Sequence, residues 1–355
     1  MKQPMLLASL CFAVLVSGCS DSPGLAAPEQ QTHAFGGACV SKIWGESAGD
    51  VWAAGHAYEG AEEALPLIWH FDGTAWSEQL TGEAGHRIND LWGLSGDDVF
   101  AVGHRRVLDE DPRPVLLRYD GESWSEMELP VDEPGYLTAV WGTSASNVIA
   151  AFNPLQGSTV FLRFDGSSWA SMEAQLTVEG IGHRINGIWG SAATDVHAVG
   201  ERWIDQDNLV GLTARYDGTS WSYADVNRWP IGIHGLDAST VFTVGHAGMI
   251  ARYDGVEWNA MESGVLEWLL AVWGRAADDV YAVGTGAGEA FTVLHFDGQA
   301  WSQLPVECPG CEESTRHAVT DAWGTAAGDL FLAASFLPSG VNHCLGSLVA
   351  HLPPG

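Results

Sequence analysis

The sequence predicts an all-β fold, a seven-bladed β-propeller of four-stranded antiparallel blades. Three observations on the 355-residue chain lead to this prediction. An apolar-Trp-Gly marker recurs every 39–50 residues, an Asp-Gly-x-x-Trp marker follows most of its copies, and no segment beyond residue 18 shows sustained helical periodicity. Four short strands in a repeat of this length are typical of one propeller blade. The repeats therefore make a single domain, although the length alone suggests two or three.

The first marker predicts the inner strand of each blade and the turn that follows it. Its copies are Trp44, Trp92, Trp141, Trp189, Trp273 and Trp323, with Ile233-His234-Gly235 as a degenerate copy. A turn residue follows six positions later in every copy, at Asp50, Asp98, Asn147, Asp195, Thr240, Asp279 and Asp329. This constant offset predicts a fixed, tight connection to the second strand. We expect the repeated Trp rings to fill the wedges between neighbouring blades.

The second marker predicts a hairpin between the third and fourth strands. Its Asp-Gly pairs begin at Asp72, Asp120, Asp165, Asp217, Asp254 and Asp297. Asp-Gly between two apolar runs favours such a turn because Gly adopts the positive φ that it requires. The fourth strand then alternates, as in Trp124, Glu126 and Glu128 against Ser125, Met127 and Leu129, which suits an outer strand with one wet side.

The ring is expected to close through the N-terminus. The seventh unit ends before any Asp-Gly-x-x-Trp segment and so lacks an outer strand. A spare stretch precedes Trp44, and the repeat spacing places a strand near residues 27–36. We predict that this strand completes the last blade, because open edges would otherwise remain at the closure. The propeller is assigned to residues 33–355.

The first 32 residues are interpreted as an address and a tether. Lys2 and the apolar run Met5 to Val16 are followed by Ser17-Gly18-Cys19, which resembles a bacterial lipoprotein signal. Residues 1–18 are then the signal peptide, Cys19 the lipidation site and residues 19–32 a flexible tether. The protein is expected to be an exported lipoprotein, held in the outer membrane or at the cell surface by the lipid on Cys19. The alternative is an ordinary secretory signal with an incidental Cys.

The charge excludes two classes of partner. The formal net charge is −30, from 45 acidic and 15 basic residues. Nucleic acid and anionic lipid would be repelled by this field, so neither is expected to bind through general basic attraction. We interpret the acidity as surface solvation. The mature chain is expected to be a monomer.

Four cysteines remain beyond the signal, and they allow three pairings. Cys39, Cys308 and Cys311 fall between predicted blades, and Cys344 falls between the second and third strands of the last blade. All four therefore lie on one face near the closure. We expect Cys39–Cys344 to staple the ring and Cys308–Cys311 to form a local bridge. Alternatively, Cys308-Pro309-Gly310-Cys311 is a redox or metal motif.

The same face carries the variable connections and a set of basic residues. Loops between the second and third strands differ from unit to unit, which is typical of a binding surface on a uniform scaffold, although loops also drift without selection. His86, Arg87, His183, Arg184, Arg316 and His317 precede inner strands and form a candidate ligand rim. The rim is expected to receive an acidic ligand, or to bind metal through His, or simply to hydrogen-bond neighbouring loops. His56, His104 and His246 recur at one register and are interpreted as structural.

Cofactor and catalytic signatures are sparse. No cofactor or resident metal is expected, although an acidic loop such as Asp109-Glu110-Asp111 is a candidate for Ca²⁺. The chain has no nucleophile-elbow serine motif, no His-Glu-x-x-His, no phosphate loop and no dinucleotide fingerprint. No catalytic residue is assigned.

The repeat resembles a bacterial propeller repeat of the form VWGSSASDVWAVG…HYDGSSW, found in myxobacterial secreted proteins and lipoproteins. The segment from Leu270 to Gly284 is its best copy in this chain. That family is largely uncharacterised, so the resemblance implies the fold and no catalytic residues. The hairpin is also similar to the Asp-box of sialidase-like propellers, but here Asp and Gly are adjacent. Gly-His with Asp-Gly-x-x-Trp differs likewise from the Gly-His…Trp-Asp of WD40 units.

The sequence thus predicts a lipid-anchored propeller that acts as a non-enzymatic binding module through variable loops on one face. Its partner is expected to be an envelope protein or glycan. The main alternative is a carbohydrate-active hydrolase or lyase, sialidase-like or of another propeller type, with its site at the channel mouth. A purely structural surface protein is the third possibility.

Overall fold

The computed structural model of the protein describes residues 31–36, 38–56, 65–83, 85–106, 109–287, 290–306, 315–338 and 346–354. The predicted signal peptide and Cys19 lie outside the described residues, as do Cys308, Cys311 and Cys344. Within these ranges the only helical turn is the 3-10 turn His246–Gly248. Over the same ranges no helix is long and apolar enough to cross a membrane.

In the described ranges, 28 strands form three four-stranded and two eight-stranded antiparallel sheets. Each eight-stranded sheet consists of two groups of four joined by one residue pair, and each group of four is one blade. The inner strands are β2 (Cys39–Ser47), β6 (His86–Ser95), β10 (Gly135–Ser144), β14 (Gly182–Ala192), β18 (Pro230–Asp237), β22 (Leu269–Ala276) and β26 (Thr315–Gly324). The second strands are β3 (Asp50–His56), β7 (Asp98–Arg105), β11 (Asn147–Pro154), β15 (Asp195–Trp203), β19 (Thr240–Gly245), β23 (Asp279–Ala287) and β27 (Leu330–Pro338).

The third strands are β4 (Leu65–Phe71), β8 (Arg113–Tyr119), β12 (Val160–Phe164), β16 (Leu209–Tyr216), β20 (Met249–Tyr253), β24 (Ala290–Phe296) and β28 (Gly346–Leu352). The outer strands are β5 (Trp76–Gly82), β9 (Trp124–Glu126), β13 (Trp169–Ser171), β17 (Trp221–Val226), β21 (Trp258–Met261) and β25 (Trp301–Gln303), with β1 (Gln31–Gly36) in the last blade. The predicted all-β class with four-stranded antiparallel blades is confirmed.

The N-terminal strand completes the last blade as the sequence predicted. β1 pairs antiparallel with β28, from Gln31 opposite His351 to Gly36 opposite Gly346. Inner strands of successive blades contact one another along the chain, and β26 contacts β2. This last contact closes the seven groups into a ring, so the first and last blades meet.

Steric packing between blades explains why the marker combines Trp with Gly. Each marker Trp lies against the marker Gly of the next blade, so that Trp141 covers Gly190 and Trp323 covers Gly45 across the closure. A Cβ on Gly190 would lie 2.6 Å from the indole of Trp141, which is closer than packed atoms approach. In the degenerate copy, His234 instead places Nε2 3.1 Å from the carbonyl oxygen of Gly274. The prediction that these Trp rings fill the wedges between blades is confirmed.

The Asp-Gly hairpins form as predicted on the opposite side of each blade from the variable loops. In one of them, Asp120 Oδ1 accepts hydrogen bonds from the backbone N–H groups of Glu122 (3.0 Å) and Ser123 (2.9 Å). Gly121 has a φ of 91°, a conformation open to Gly and strained for other residues. The outer-strand Trp124 then packs edge-on against Trp52 of the preceding blade, with ring centroids 5.5 Å apart. A second set of Trp rings therefore bridges the blades near their outer edge.

Two faces of the ring follow from this topology. The turn face carries the connections from first to second strands and the Asp-Gly hairpins. The loop face carries the connections from second to third strands and those between blades.

Candidate functional site

A bulge in every inner strand builds the wall of the central channel. The pairing register between the first and second strands shifts three residues before each marker, in all seven blades. The shifted residues all line a single cavity of about 520 Å³ and are Ser41, Asn89, Thr138, Asn186, Ile231, Leu270 and Thr320. A bulge re-aims the side chain of its extra residue. The channel lining is thus set by one repeat position.

Most polar groups of this lining are already used by the fold. Five of the seven side chains donate a hydrogen bond to a backbone carbonyl of the following blade. These bonds are Ser41 Oγ to Ile88 (2.9 Å), Asn89 Nδ2 to Leu137 (2.7 Å), Thr138 Oγ1 to Ile185 (2.7 Å), Asn186 Nδ2 to Pro230 (3.0 Å) and Thr320 Oγ1 to Val40 (3.0 Å). They tie neighbouring blades together. Ile231 and Leu270 take the corresponding positions in the fifth and sixth blades, so that side of the channel is apolar.

An ion cluster lies next to this ring, one residue further along the inner strands. Lys42 Nζ lies 3.8 Å from Asp90 Oδ1 and 3.9 Å from Asp321 Oδ1. Burial raises the pKa of Asp321 to about 6, and the Lys42 ammonium acts in the opposite direction. Burial acts to lower the pKa of Lys42, but the carboxylates of Asp321 and Asp90 raise it above its ordinary value. The cluster joins the seventh, first and second blades at the closure. This cluster was not predicted from the sequence.

The rim of the channel on the loop face is set by the residues five positions before each marker and by their partners on the second strands. Arg87 lies opposite His104, Tyr136 opposite Asn153, and Arg184 opposite Glu201. Arg87, His56, Glu201 and His246 line the cavity itself. Burial raises the pKa of Glu201, whose carboxylate accepts a hydrogen bond from Asn186 Nδ2 at 2.9 Å.

The predicted rim residues fall into two groups. Arg87 is exposed at the cavity, and Arg184 is half-buried with its guanidinium 5.4 Å from the Trp203 ring. His183 and His317 are only 1% and 2% exposed, so they offer no surface to a ligand. His86 is half-buried, with Nδ1 3.0 Å from the carbonyl oxygen of Glu83. Arg316 lies in β26, where its backbone pairs with Leu337.

Strand alternation explains why the buried histidines do not reach the cavity. Successive side chains of a strand point to opposite faces, so a shift of one residue exchanges inside for outside. His183 and His317 stand six residues before their markers, whereas the exposed rim stands at five. His56 and His246, interpreted from the sequence as structural, line the cavity instead. Burial, with a smaller effect from the positive charge of Arg87, lowers the pKa of His56 to about 4.

The second blade presents three arginines on the loop face. Arg87, Arg105 and Arg106, here called the basic cluster, are all exposed. Arg105 pairs with His86 and Arg87 with His104 across β6 and β7. Burial, with smaller effects from the charges of Arg87 and Arg106, lowers the pKa of His104 to about 4, so these two arginines lie near its imidazole. The sequence analysis named only Arg87 of this cluster.

The fifth and sixth blades present an aromatic stack at the opposite part of the rim. His246 stacks on Trp268 with centroids 3.8 Å apart, and Trp229 meets His246 edge-on at 4.8 Å. Trp229 and Trp268 keep 37% and 49% of their surface exposed. The stack is uncovered because the fifth blade has only the turn His246–Gly248 between β19 and β20. The sequence shows this short connection, but it does not show that the neighbouring Trp residues remain exposed.

The described residues test the metal and disulfide predictions only in part. Among those residues, no group of three or more His, Cys, Asp or Glu side chains converges as metal ligands would. Asp109 of the acidic candidate loop has a φ of 65° and is exposed. Cys39 is disulfide-bonded. Its partner lies outside the described residues, so both predicted pairings stay predictions.

Comparison with solved structures agrees with this architecture. A structure of YCF48 bound to D1 peptide matches with a TM-score of 0.61 at 14% identity, covering 94% of this chain and 98% of that one. The chain has the β-propeller fold. YCF48 from Cyanidioschyzon merolae matches at 0.56 and 13% identity, covering 90% and 98%. The WD40 β-propeller domain of Doa1 matches at 0.57 and 11% identity, covering 90% and 97%.

These identities support the fold of the propeller and nothing finer. No protein-family model matches the chain, and no curated protein matches it either. The residues of the site must therefore carry the functional argument by themselves.

Proposed function

We propose that this propeller is a non-enzymatic binding module that holds a segment of a partner protein at the channel mouth on its loop face. The observation that carries the proposal is the cavity of about 520 Å³, with Arg87 and His246 on its rim. Its size lies within the range of ordinary ligand sites, and its lining is mostly polar, with Ile88, Ile231 and Leu270 as its apolar residues. The rim continues outward into the basic cluster and the aromatic stack, which give it room for a peptide.

A propeller of similar fold supports a protein as the partner. YCF48 has been solved with a D1 peptide bound. The carboxylates at the channel argue in the same direction, since Glu201 is bonded by Asn186 and both Asp90 and Asp321 lie against Lys42. A hydrolase needs a pair of carboxyl groups free to exchange protons with its substrate. A glycan-cleaving activity is therefore the weaker candidate.

The location of the module follows from the N-terminal sequence. We propose that it is exported, belongs to the myxobacterial-type repeat lipoproteins and is anchored through Cys19 as a monomer. Its partner would then be an envelope protein. The ring would be further held by a Cys39–Cys344 disulfide: Ser347 donates a hydrogen bond to the carbonyl of Ala38 at 2.8 Å, and Cys344 is three residues from Ser347. Peptide mapping without reduction must show a linked Cys39/Cys344 peptide, and a Cys39 peptide linked to Cys308 or Cys311 would contradict it.

Site-specific photo-crosslinking tests which face meets the partner. Ile204 on the loop face and Leu94 on the turn face are matched positions, 44% and 46% exposed. A photoreactive phenylalanine at each position is activated in intact envelope that contains the full chain. The proposal predicts a discrete crosslinked protein from position 204 and none from position 94.

Two outcomes would overturn the proposal. Equal crosslinking from both positions, or from position 94 alone, would place the partner elsewhere. Turnover of an envelope glycan by the purified chain, abolished by Glu201→Gln, would instead establish the carbohydrate-active alternative.

A further inference from the structure

We infer that the segment bound at the channel mouth is an acidic peptide with an aromatic side chain. Its carboxylates would bind the basic cluster of the second blade, and its aromatic side chain would pack on the aromatic stack of the fifth and sixth blades. This inference rests on the proposed function and names the chemistry of its ligand.

First, within the part of the chain that the structure describes, the basic cluster lacks counter-charges. Arg118, Arg202, Arg215 and Arg275 each pair with an Asp. Among the described residues, Arg87, Arg105 and Arg106 have no carboxylate within ion-pair distance. Other described arginines, such as Arg163 and Arg184, also lack an ion pair, and the cluster differs from them because it gathers three exposed arginines in one blade of a protein with a net charge of −30. Arg87 and Arg106 both lie near the His104 imidazole, so an incoming carboxylate would meet two positive charges that have no ion pair among the described residues.

The second step is that the aromatic stack is an exposed apolar surface of defined shape. Trp268 has one ring face covered by His246, and its remaining surface is open. Leu266, two residues before Trp268, is 77% exposed. A cluster of exposed rings at the rim of a cavity is typical of an interaction site, because isolated exposed apolar residues are ordinary and grouped ones are not.

The third step is that one short ligand can contact both regions. Arg87 and His246 line the same cavity. The second and fifth blades are three positions apart in a ring of seven, so they face one another across the channel. A segment lying over the mouth therefore meets guanidinium groups at one end and indole rings at the other.

The fourth step favours a peptide over an anionic sugar. Side-chain carboxylates match the planar guanidinium fork with two parallel hydrogen bonds. His246 stacked on Trp268 and edge-on to Trp229 leaves an irregular aromatic surface, which suits edge-to-face packing of another aromatic side chain.

The test uses fluorescein-labelled pentapeptides and the full chain in a non-ionic detergent. The probes are Glu-Glu-Phe-Glu-Glu, its Gln-for-Glu analogue and its Ala-for-Phe analogue, and dissociation constants come from fluorescence anisotropy. We expect the first peptide to bind at least about tenfold more tightly than either analogue. Its affinity should also fall as the salt concentration rises from 50 to 200 mM, because exposed charges are screened.

Variants assign the two ends of the ligand. Arg87→Gln should weaken the acidic peptide about tenfold and leave the Gln analogue unchanged. Arg163→Gln is the matched control, since Arg163 is an exposed arginine of the third blade outside the rim. Trp268→Ala should weaken the peptides that contain Phe and leave the Ala analogue unchanged, with Val256→Ala as the exposed apolar control.

The outcomes separate this inference from the proposed function. If none of the peptides binds, or all bind alike, or Arg163→Gln has the same effect as Arg87→Gln, the inference is overturned. Tighter binding of an anionic polysaccharide such as polygalacturonate would also overturn it. Crosslinking from position 204 would still stand in those cases and would keep the proposed function, whereas its loss would end both.

Discussion

The two faces of the propeller differ in how their charged residues are paired. On the turn face, the Asp that follows each marker by six residues meets a basic residue of the third strand. Five blades make this pair: Asp50 with His70 (2.8 Å), Asp98 with Arg118 (2.8 Å), Asp195 with Arg215 (2.7 Å), Asp279 with His295 (2.7 Å) and Asp329 with His351 (2.8 Å). On the loop face, the basic cluster has no such partners among the described residues. The repeated turn-face pairs stabilise the blades, and on the loop face Arg202 also pairs with Asp225, whereas the basic cluster is available to a ligand.

Two blades lack this ion pair. Asn147 and Thr240 replace the turn-face Asp in the third and fifth blades. Arg252 of the fifth blade then lies 5.6 Å from the Phe242 ring, and its Nε is buried without a hydrogen bond. The replacement of Asp by Thr240 leaves a single arginine, Arg252, without a carboxylate partner among the described residues. The second blade, in contrast, has three such arginines on the loop face. The comparison therefore predicts that changes on the turn side alter stability and changes in the cluster alter binding.

The largest effect is expected where the repeat itself is broken. Gly190→Ala places a methyl group 2.6 Å from the indole of Trp141 and 2.7 Å from the carbonyl oxygen of Asp195, so the blades must separate. We expect a loss of about 2–3 kcal/mol in the free energy of unfolding, measured in urea. Gly49→Ala is the control, because the nearest atom to its Cβ lies at 3.6 Å. Equal effects of the two changes would remove the steric reason for the marker.

Acid is expected to destabilise the protein through its buried histidines. Burial lowers the pKa of His183 from 6.5 to about 4, so between these values the unfolded chain binds a proton that the folded chain does not. Stability is therefore lost as the pH falls from 7 to 5, by about 2 kcal/mol for this residue. Asp321, with its pKa raised to about 6, acts in the opposite direction over part of the range. His183→Phe should reduce the loss measured by urea unfolding at the two pH values, and an unchanged loss would contradict the assignment.

A smaller effect is expected from one turn-face pair. Asp98→Ala leaves Arg118 without its two hydrogen bonds of 2.8 and 3.2 Å. We expect stability to fall by about 1–2 kcal/mol, since both groups are mostly buried. Asp97→Ala, at the exposed neighbouring position, should change stability by less than about 0.5 kcal/mol. Thermal unfolding of the two variants is measured in parallel. Equal midpoints would show that the repeated pair does not stabilise the protein.

The sequence predicted the architecture well because its two markers encode packing and turn geometry directly. Trp141 over Gly190 and the positive φ of Gly121 are local requirements, and both recur often enough to be read without a structure. The closing strand β1 followed from counting strands. The degenerate copy at His234 kept its place because a hydrogen bond to Gly274 replaces the indole contact.

The site was harder to predict because it depends on single-residue register. The bulge at Asn89 and the equivalent bulges in the other blades determine which side chains line the channel, and no sequence motif predicts them. His183 and His317 were therefore placed at the rim although they are buried. The cluster around Lys42 was not predicted, because its partners Asp90 and Asp321 come from blades that are distant in sequence. Their shared position, two residues before the marker, was the available signal.

The most direct test of the contrast between the faces needs no ligand. The triple variant Arg87→Gln/Arg105→Gln/Arg106→Gln is compared with the wild type by urea unfolding at low salt. If the basic cluster is unused by the fold, the free energy of unfolding stays within about 0.5 kcal/mol or rises as repulsion is relieved. A loss of more than about 1 kcal/mol would show that these arginines stabilise the propeller, and it would contradict their assignment to a binding surface.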